Sequence, residues 1–130
     1  MKNLIYNAVK CNICDETIVS YYTHDYKHCT CGNAMVDGGL SYGRYGWAEG
    51  LDSITKIDIY MEDVPFSVAR HYFHRYNRKT DKHIKLKDID DEWLDAIVKY
   101  YLPPNNIGTM YYQYLLLYIQ EKLYRAEQEY

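Results

Sequence analysis

An α+β fold is what this sequence predicts, and three observations predict it. β-Branched and aromatic runs punctuated by glycine fill the chain up to Met61. Helical periodicity replaces them after Pro65. All four cysteines sit in two close pairs, both in the first quarter of the chain. The 130 residues are 48% apolar and 25% charged, the composition of a globular chain and not of a disordered one. At 15.5 kDa, folding buries roughly two thirds of the open chain's surface, enough for a core.

The cysteine pairs are Cys11-Asn12-Ile13-Cys14 and Cys29-Thr30-Cys31-Gly32, and nothing after Cys31 carries a thiol. A tetrahedral Zn²⁺ takes four soft ligands, and two short-spaced pairs deliver two from each of two tight turns. Gly32 lets the backbone turn freely after the second pair. Disulfides and free redox thiols are the competing readings, and a reducing compartment disfavours the former. Cys11, Cys14, Cys29 and Cys31 are therefore the expected ligands of Zn²⁺. Four thiolates leave no position open for water, so the expected site is structural and not catalytic. Loading it moves the formal net charge from −3 to about −5. His24, between the pairs, is the one competing ligand; a turn or supporting hydrogen bond is the plainer role for it.

The elements follow in order. Residues 4–10 alternate weakly, a short strand leading into the first cysteine pair, and 17–22 form a second strand. Residues 25–28 return the chain to Cys29. Residues 33–36 and 40–42 flank Asp37-Gly38-Gly39, a hairpin turn. Residues 1–50 thus read as a zinc-ribbon-like module of β hairpins. Ile57, Ile59 and Met61 alternate with Lys56, Asp58 and Tyr60, a strand over 54–61. Phe66, Ala69, Phe73 and Tyr76, with Pro65 ahead of them, predict a helix over 65–78. Acid from Asp88 to Glu92, then the stripe Trp93, Leu94, Ile97, Val98 and Tyr101, predict a helix over 90–101, stopped by Pro103-Pro104. Thr109 caps a last helix over 110–128, with Tyr111, Leu115, Tyr118 and Lys122 on one side and Leu116, Ile119 and Leu123 widening its apolar face. Residues 51–130 are thus one strand and a three-helix part packed on the module.

Charge is segregated in that second part. Arg70, Arg75, Arg78, Lys79, Lys82, Lys85 and Lys87 face only Asp81 between residues 70 and 87. Asp88, Asp90, Asp91, Glu92 and Asp95 follow with no cation until Lys99. On a helix over 65–78, Arg70, His74 and Arg78 would line one face, a row suited to phosphates; a solvated face pairing with the acidic segment is the plainer reading. His71 and His74 have metal-ligand spacing but no carboxylate partner motif. No nucleophile elbow, phosphate loop or paired-carboxylate motif is present, so an enzyme is not expected. The 17 tyrosines against two phenylalanines suit half-buried positions and contact surfaces.

Cys11-x2-Cys14, Ser20, His24-Asp25-Tyr26, Cys29-x-Cys31-Gly32, Val36-Asp37-Gly38-Gly39, Tyr42 and Arg44 resemble a family of small bacteriophage and prophage proteins with a zinc-ribbon-like start. The block from Leu86 to Leu94 resembles them as well. Members tend to carry Gly-Asp after the first cysteine pair; here Asp15 follows Cys14 directly. Small metal-binding phage proteins include anti-CRISPR inhibitors of type II Cas9, and this chain is similar to them in size and acidity. The resemblance implies an interaction protein that binds a bacterial defence nuclease, Cas9 foremost, and blocks nucleic-acid access. Asp88, Asp90, Asp91, Glu92 and Asp95 would then be the partner-binding residues. The alternative is a zinc-ribbon nucleic-acid-binding regulator. With a net charge of −3, tight DNA binding by the chain alone is not expected. No stretch approaches about 18 uncharged apolar residues, and the first ten carry too short an apolar run for a secretory signal, so a cytoplasmic location in the host cell, without a membrane span, is expected.

Overall fold

A computed structural model describes residues 2–102 and 114–129. The chain is α+β, with small antiparallel sheets and three α-helices among the described residues, and divides into two compact units, Met1–Val64 and Pro65–Tyr130. The strand expected near residue 54 belongs to the first unit, so the division falls after Val64 and not after residue 50.

The first unit is built on β1 (Leu4–Cys11), the middle strand of a three-stranded sheet. β2 (Thr17–Val19) pairs with it antiparallel on one side and β6 (Ile54–Tyr60) on the other. β1 is buried at Leu4, Ile5, Asn7, Ala8, Val9 and Cys11, consecutive positions included, so both of its faces are covered and its alternation is weak. A second antiparallel sheet holds β3 (Lys27–His28), β4 (Ala34–Asp37) and β5 (Arg44–Trp47), with β4 in the middle. The expected turn at Gly38-Gly39 forms, but β5 begins at Arg44, not at Leu40. Gly38 has φ +100°, and a Cβ there would stand 1.8 Å from the Tyr42 carbonyl oxygen, so no other residue fits.

The core between these sheets is small: Val9, Cys11, Ile18, Cys29, Ala34, Val36 and Ile54, with Cys14 packed against it. A buried polar seam runs beside it. Asn7 Nδ2 donates to the carbonyls of Asp37 and Gly39, both at 3.0 Å, and its Oδ1 accepts from Lys56 at 2.7 Å. Ser20 Oγ donates to the Asp25 carbonyl and accepts from the Gly39 amide. Each group finds its partner, as a buried polar group must.

The second unit departs from expectation. The helix predicted over 65–78 is one turn, α1 (Phe66–Ala69), followed by an antiparallel hairpin of β7 (His74–Asn77) and β8 (Lys82–Lys85). Local chemistry explains it. Asn77 Oδ1 accepts from the Lys79 and Thr80 amides, closing a side-chain turn that competes with a helix, and Asp81 sits at φ 55°. Phe73 answers instead to aromatic rings near residue 115, with centroids 5.1 Å from Tyr114, just ahead of the last helix, and 5.5 Å from Tyr118 within it. The one-faced row of Arg70, His74 and Arg78 is thereby dissolved.

α2 (Asp91–Tyr101) forms as expected: Asp90 caps it, accepting from the Trp93 amide at 2.7 Å, and Leu94, Ile97, Val98 and Tyr101 are buried. α3 (Leu115–Gln128) buries Leu115, Leu117, Tyr118 and Glu121, while Leu116 and Leu123 face solvent. The expected Pro103-Pro104 stop, the Thr109 cap, Tyr111 and the first turn of the last helix lie outside the described residues. Among those residues, no helix is long and apolar enough to cross a membrane.

Candidate metal centre

The four cysteines converge. Cys11 ends β1 and Cys14 closes the turn after it; Cys29 follows β3 and Cys31 lies in the turn before β4. Their sulfurs all lie within 4.8 Å of one another. Two separations, Cys11–Cys31 at 3.6 Å and Cys29–Cys31 at 3.5 Å, are near the edge of a tetrahedron drawn by metal–sulfur bonds of about 2.3 Å, roughly 3.8 Å. Cys11 and Cys29 are fully buried, Cys14 half-buried and Cys31 exposed, and all four are free thiols.

The two turns are built alike. In each, the residue after the second cysteine takes the left-handed conformation: Asp15 at φ 64° and Gly32 at φ 78°. Asp reaches that region at lower cost than most side chains, which is how the first turn closes without glycine. Glu16 then ties one turn to the other. Its carbonyl accepts from the Cys11 amide, and its carboxylate accepts from the Thr30 amide at 2.6 Å and the Thr30 hydroxyl at 2.9 Å. Those two bonds, the amide first, hold the Glu16 carboxyl below its usual range.

Electrostatics favour a cation at the centre. The Cys14 amide leads the donors that hold the Cys11 thiol down to about 6, against the opposing effect of burial. The Asn33 amide lowers Cys31 too, but burial and the three neighbouring sulfurs push it up to about 12. Four sulfurs this close cannot all ionise while they face only one another; a divalent ion between them removes the conflict. The Ala34 amide points at Cys29 Sγ at 3.2 Å, the kind of donor that stabilises a thiolate.

Asn33 is the organising residue behind the cluster. Its Nδ2 reaches Cys11 Sγ at 3.6 Å and Ser53 Oγ at 3.0 Å, and its Oδ1 accepts from the Ala48 and Glu49 amides. Neither Asn33 nor Glu16 stood out in the sequence; their only signal was proximity to the cysteines. His24 is not part of the cluster. It sits at φ 69° with Nδ1 3.0 Å from the Tyr42 hydroxyl.

The acidic residues fall at the start of α2, and the four aspartates are engaged within the chain. Asp88 pairs with Lys87, Asp91 with Arg125 and Asp95 with Lys122, while Asp90 caps the helix and Glu92 is exposed. Arg70, expected on a basic face, is turned inward against Glu121, Nε and Nη2 each 2.9 Å from a carboxylate oxygen. Arg125 Nε joins the fully buried Glu121 at 2.8 Å. This Arg–Glu–Arg network was invisible in the sequence because its members are 51 and four residues apart.

Comparison with known proteins adds one finding. Residues 3–47, spanning both cysteine pairs and the strands from β1 to β5, match a family described as a domain of unknown function, DUF7695. No curated protein and no solved structure matches the chain. Over those residues the chain is similar to a domain family whose function is not assigned.

Proposed function

We propose that this protein is a zinc-stabilised interaction protein of phage origin. One Zn²⁺ on Cys11, Cys14, Cys29 and Cys31 fixes the first unit in a zinc-ribbon-like arrangement, and the activity lies in binding a partner and not in catalysis. The sulfur quartet carries the reading: four thiols within 4.8 Å form a closed donor set, with no fourth position for water. The buried cluster around it includes Cys11 and Cys29 themselves, so metal binding supplies folding energy.

The partner-binding region is the acidic start of α2. The Asp91 and Asp95 side chains remain 85% and 64% exposed although paired. Exposed pairs are worth about 0–1 kcal/mol, so a partner's Arg or Lys exchanges for Arg125 or Lys122 at little cost. A basic nucleic-acid channel is the surface such a patch fits, and type II Cas9, which the resemblance implies, is the first partner to test.

Pull-down from bacterial lysate with and without nuclease tests this reading. A protein partner that survives nuclease and is lost in a folded Asp90→Lys/Asp91→Lys/Asp95→Lys variant supports it. Recovery of nucleic acid alone supports the second reading, a nucleic-acid-binding regulator, for which the cations of the β7–β8 hairpin are the specific feature.

A further inference from the structure

The β7–β8 hairpin and the start of α2 wall an open cleft of about 500 Å³ in the second unit. Arg75, Tyr76, Arg78 and Lys79 line it from the hairpin, and Asp90, Glu92 and Trp93 line it from the helix. The walls carry opposite charge, yet no ion pair spans them among the described residues. The hairpin from residue 74 to 85 holds five cations against Asp81 alone, whose carboxylate accepts from the Tyr76 hydroxyl.

Arg75 is the telling residue. Its guanidinium is half-buried, and its Nη1 donates to the Tyr101 hydroxyl at 2.7 Å and, more weakly, to that of Tyr118 at 3.5 Å. It lies 5.1 Å from the Tyr101 ring centroid and 5.9 Å from that of Tyr118. The other inward-turned guanidiniums of this unit, Arg70 and Arg125, each hold a carboxylate. Arg75 holds none among the described residues, and residues 103–113 contain no Asp or Glu. Phenols and ring faces fix its position without neutralising it, so its desolvation is only partly offset.

We propose that this cleft binds a nucleotide, its phosphate on Arg75, Arg78 and Lys79 and its base against Trp93. A bare anion would gain from the cationic wall and be repelled by Asp90 and Glu92. A ligand anionic at one end, with an aromatic ring bearing an exocyclic amine at the other, matches both walls: the ring stacks on the indole and the amine donates to a carboxylate. The volume falls within the range of about 300–1,000 Å³ typical of small-molecule sites. The inference is independent of the metal centre.

The test is fluorescence of Trp93 in the full chain carrying Trp47→Phe, which leaves one indole, titrated with AMP, adenosine and inorganic phosphate. The expected result is saturable quenching by AMP below about 1 mM, weaker binding of adenosine and of phosphate alone, and competition by phosphate. Arg75→Gln weakens AMP at least tenfold. Because that change touches a half-buried group, Arg78→Ala/Lys79→Ala, both exposed, is measured beside it and weakens AMP as well. Absence of a saturable change, adenosine binding as tightly as AMP, or unchanged AMP affinity in both variants overturns the proposal. So does binding confined to oligonucleotides.

Discussion

Asn33 gathers four hydrogen bonds of the first unit on one side chain. Its amide touches the Cys11 sulfur, anchors Ser53 and satisfies two backbone amides of the loop after β5. Truncating it to Ala strips those partners in a site almost closed to solvent, and each stranded group costs about 1–3 kcal/mol. Urea unfolding of Asn33→Ala with metal present should therefore show a loss of about 2–4 kcal/mol; a loss below 1 would deny it the role. Glu62 makes a pH-dependent contribution at the same scale. Burial alone would raise its carboxyl, but the Asn3 amide, at 2.6 Å, and the Asn3 side chain outweigh it and hold it below its usual range. A group depressed on folding stabilises above its unfolded pKa, about 4.3, and loses that contribution as pH falls through the folded value. The stability gap between the protein and Glu62→Gln should thus be full at pH 7 and close on acidification below about pH 4. A gap that stays constant with pH would contradict the assignment. Residues such as Asn33, Glu16 and Glu121 were not legible in the sequence, because a hydrogen-bond hub has no spacing signature: its partners come from distant strands.

At the scale of elements, what the sequence reveals depends on how local the cause is. α2 was legible because its cap, acidic first turn and apolar stripe lie within a dozen residues. The cysteine turns were legible for the same reason. Phe66, Ala69, Phe73 and Tyr76 fit helical spacing over 65–78, while the features that decide the fold there are an Asn77 side-chain turn and an Arg70 partner on α3. The network at Glu121 ties α3 to this segment beside the ring contact of Phe73 with Tyr118. Glu121→Ala leaves Arg70 facing a void with no acid and removes one of the two carboxylates of Arg125; breaking a buried pair this way costs about 3–5 kcal/mol. Thermal melting of the variant should show a large drop in midpoint. A change within error would mean that the two arginines re-pair freely with solvent. Asp90→Ala is the milder test: loss of the α2 cap should cost about 1 kcal/mol and lower helicity at 222 nm without unfolding the chain.

For the whole molecule, the division after Val64 follows from β6, which returns 43 residues after Cys11 to pair with β1. A pairing that distant has no local signature in the sequence. The division also predicts how the molecule comes apart. Chelation should expose the amides of β1 and β4, whose core contains Cys11 and Cys29, while those of α2 keep their protection in the second unit. Hydrogen exchange with and without chelator reads this directly; simultaneous loss in both units would make the metal a support of the whole chain. With a net charge of −3, the chain should not shift duplex or single-stranded DNA at sub-micromolar concentration in about 150 mM salt.

The measurement that bears most directly on the account is elemental analysis of protein purified without chelator, paired with intact-mass spectrometry of its thiols. The account predicts about one zinc per chain and four unoxidised cysteines, with the zinc lost and the first unit unfolded in Cys29→Ser. Protein without metal that carries two disulfides would contradict it.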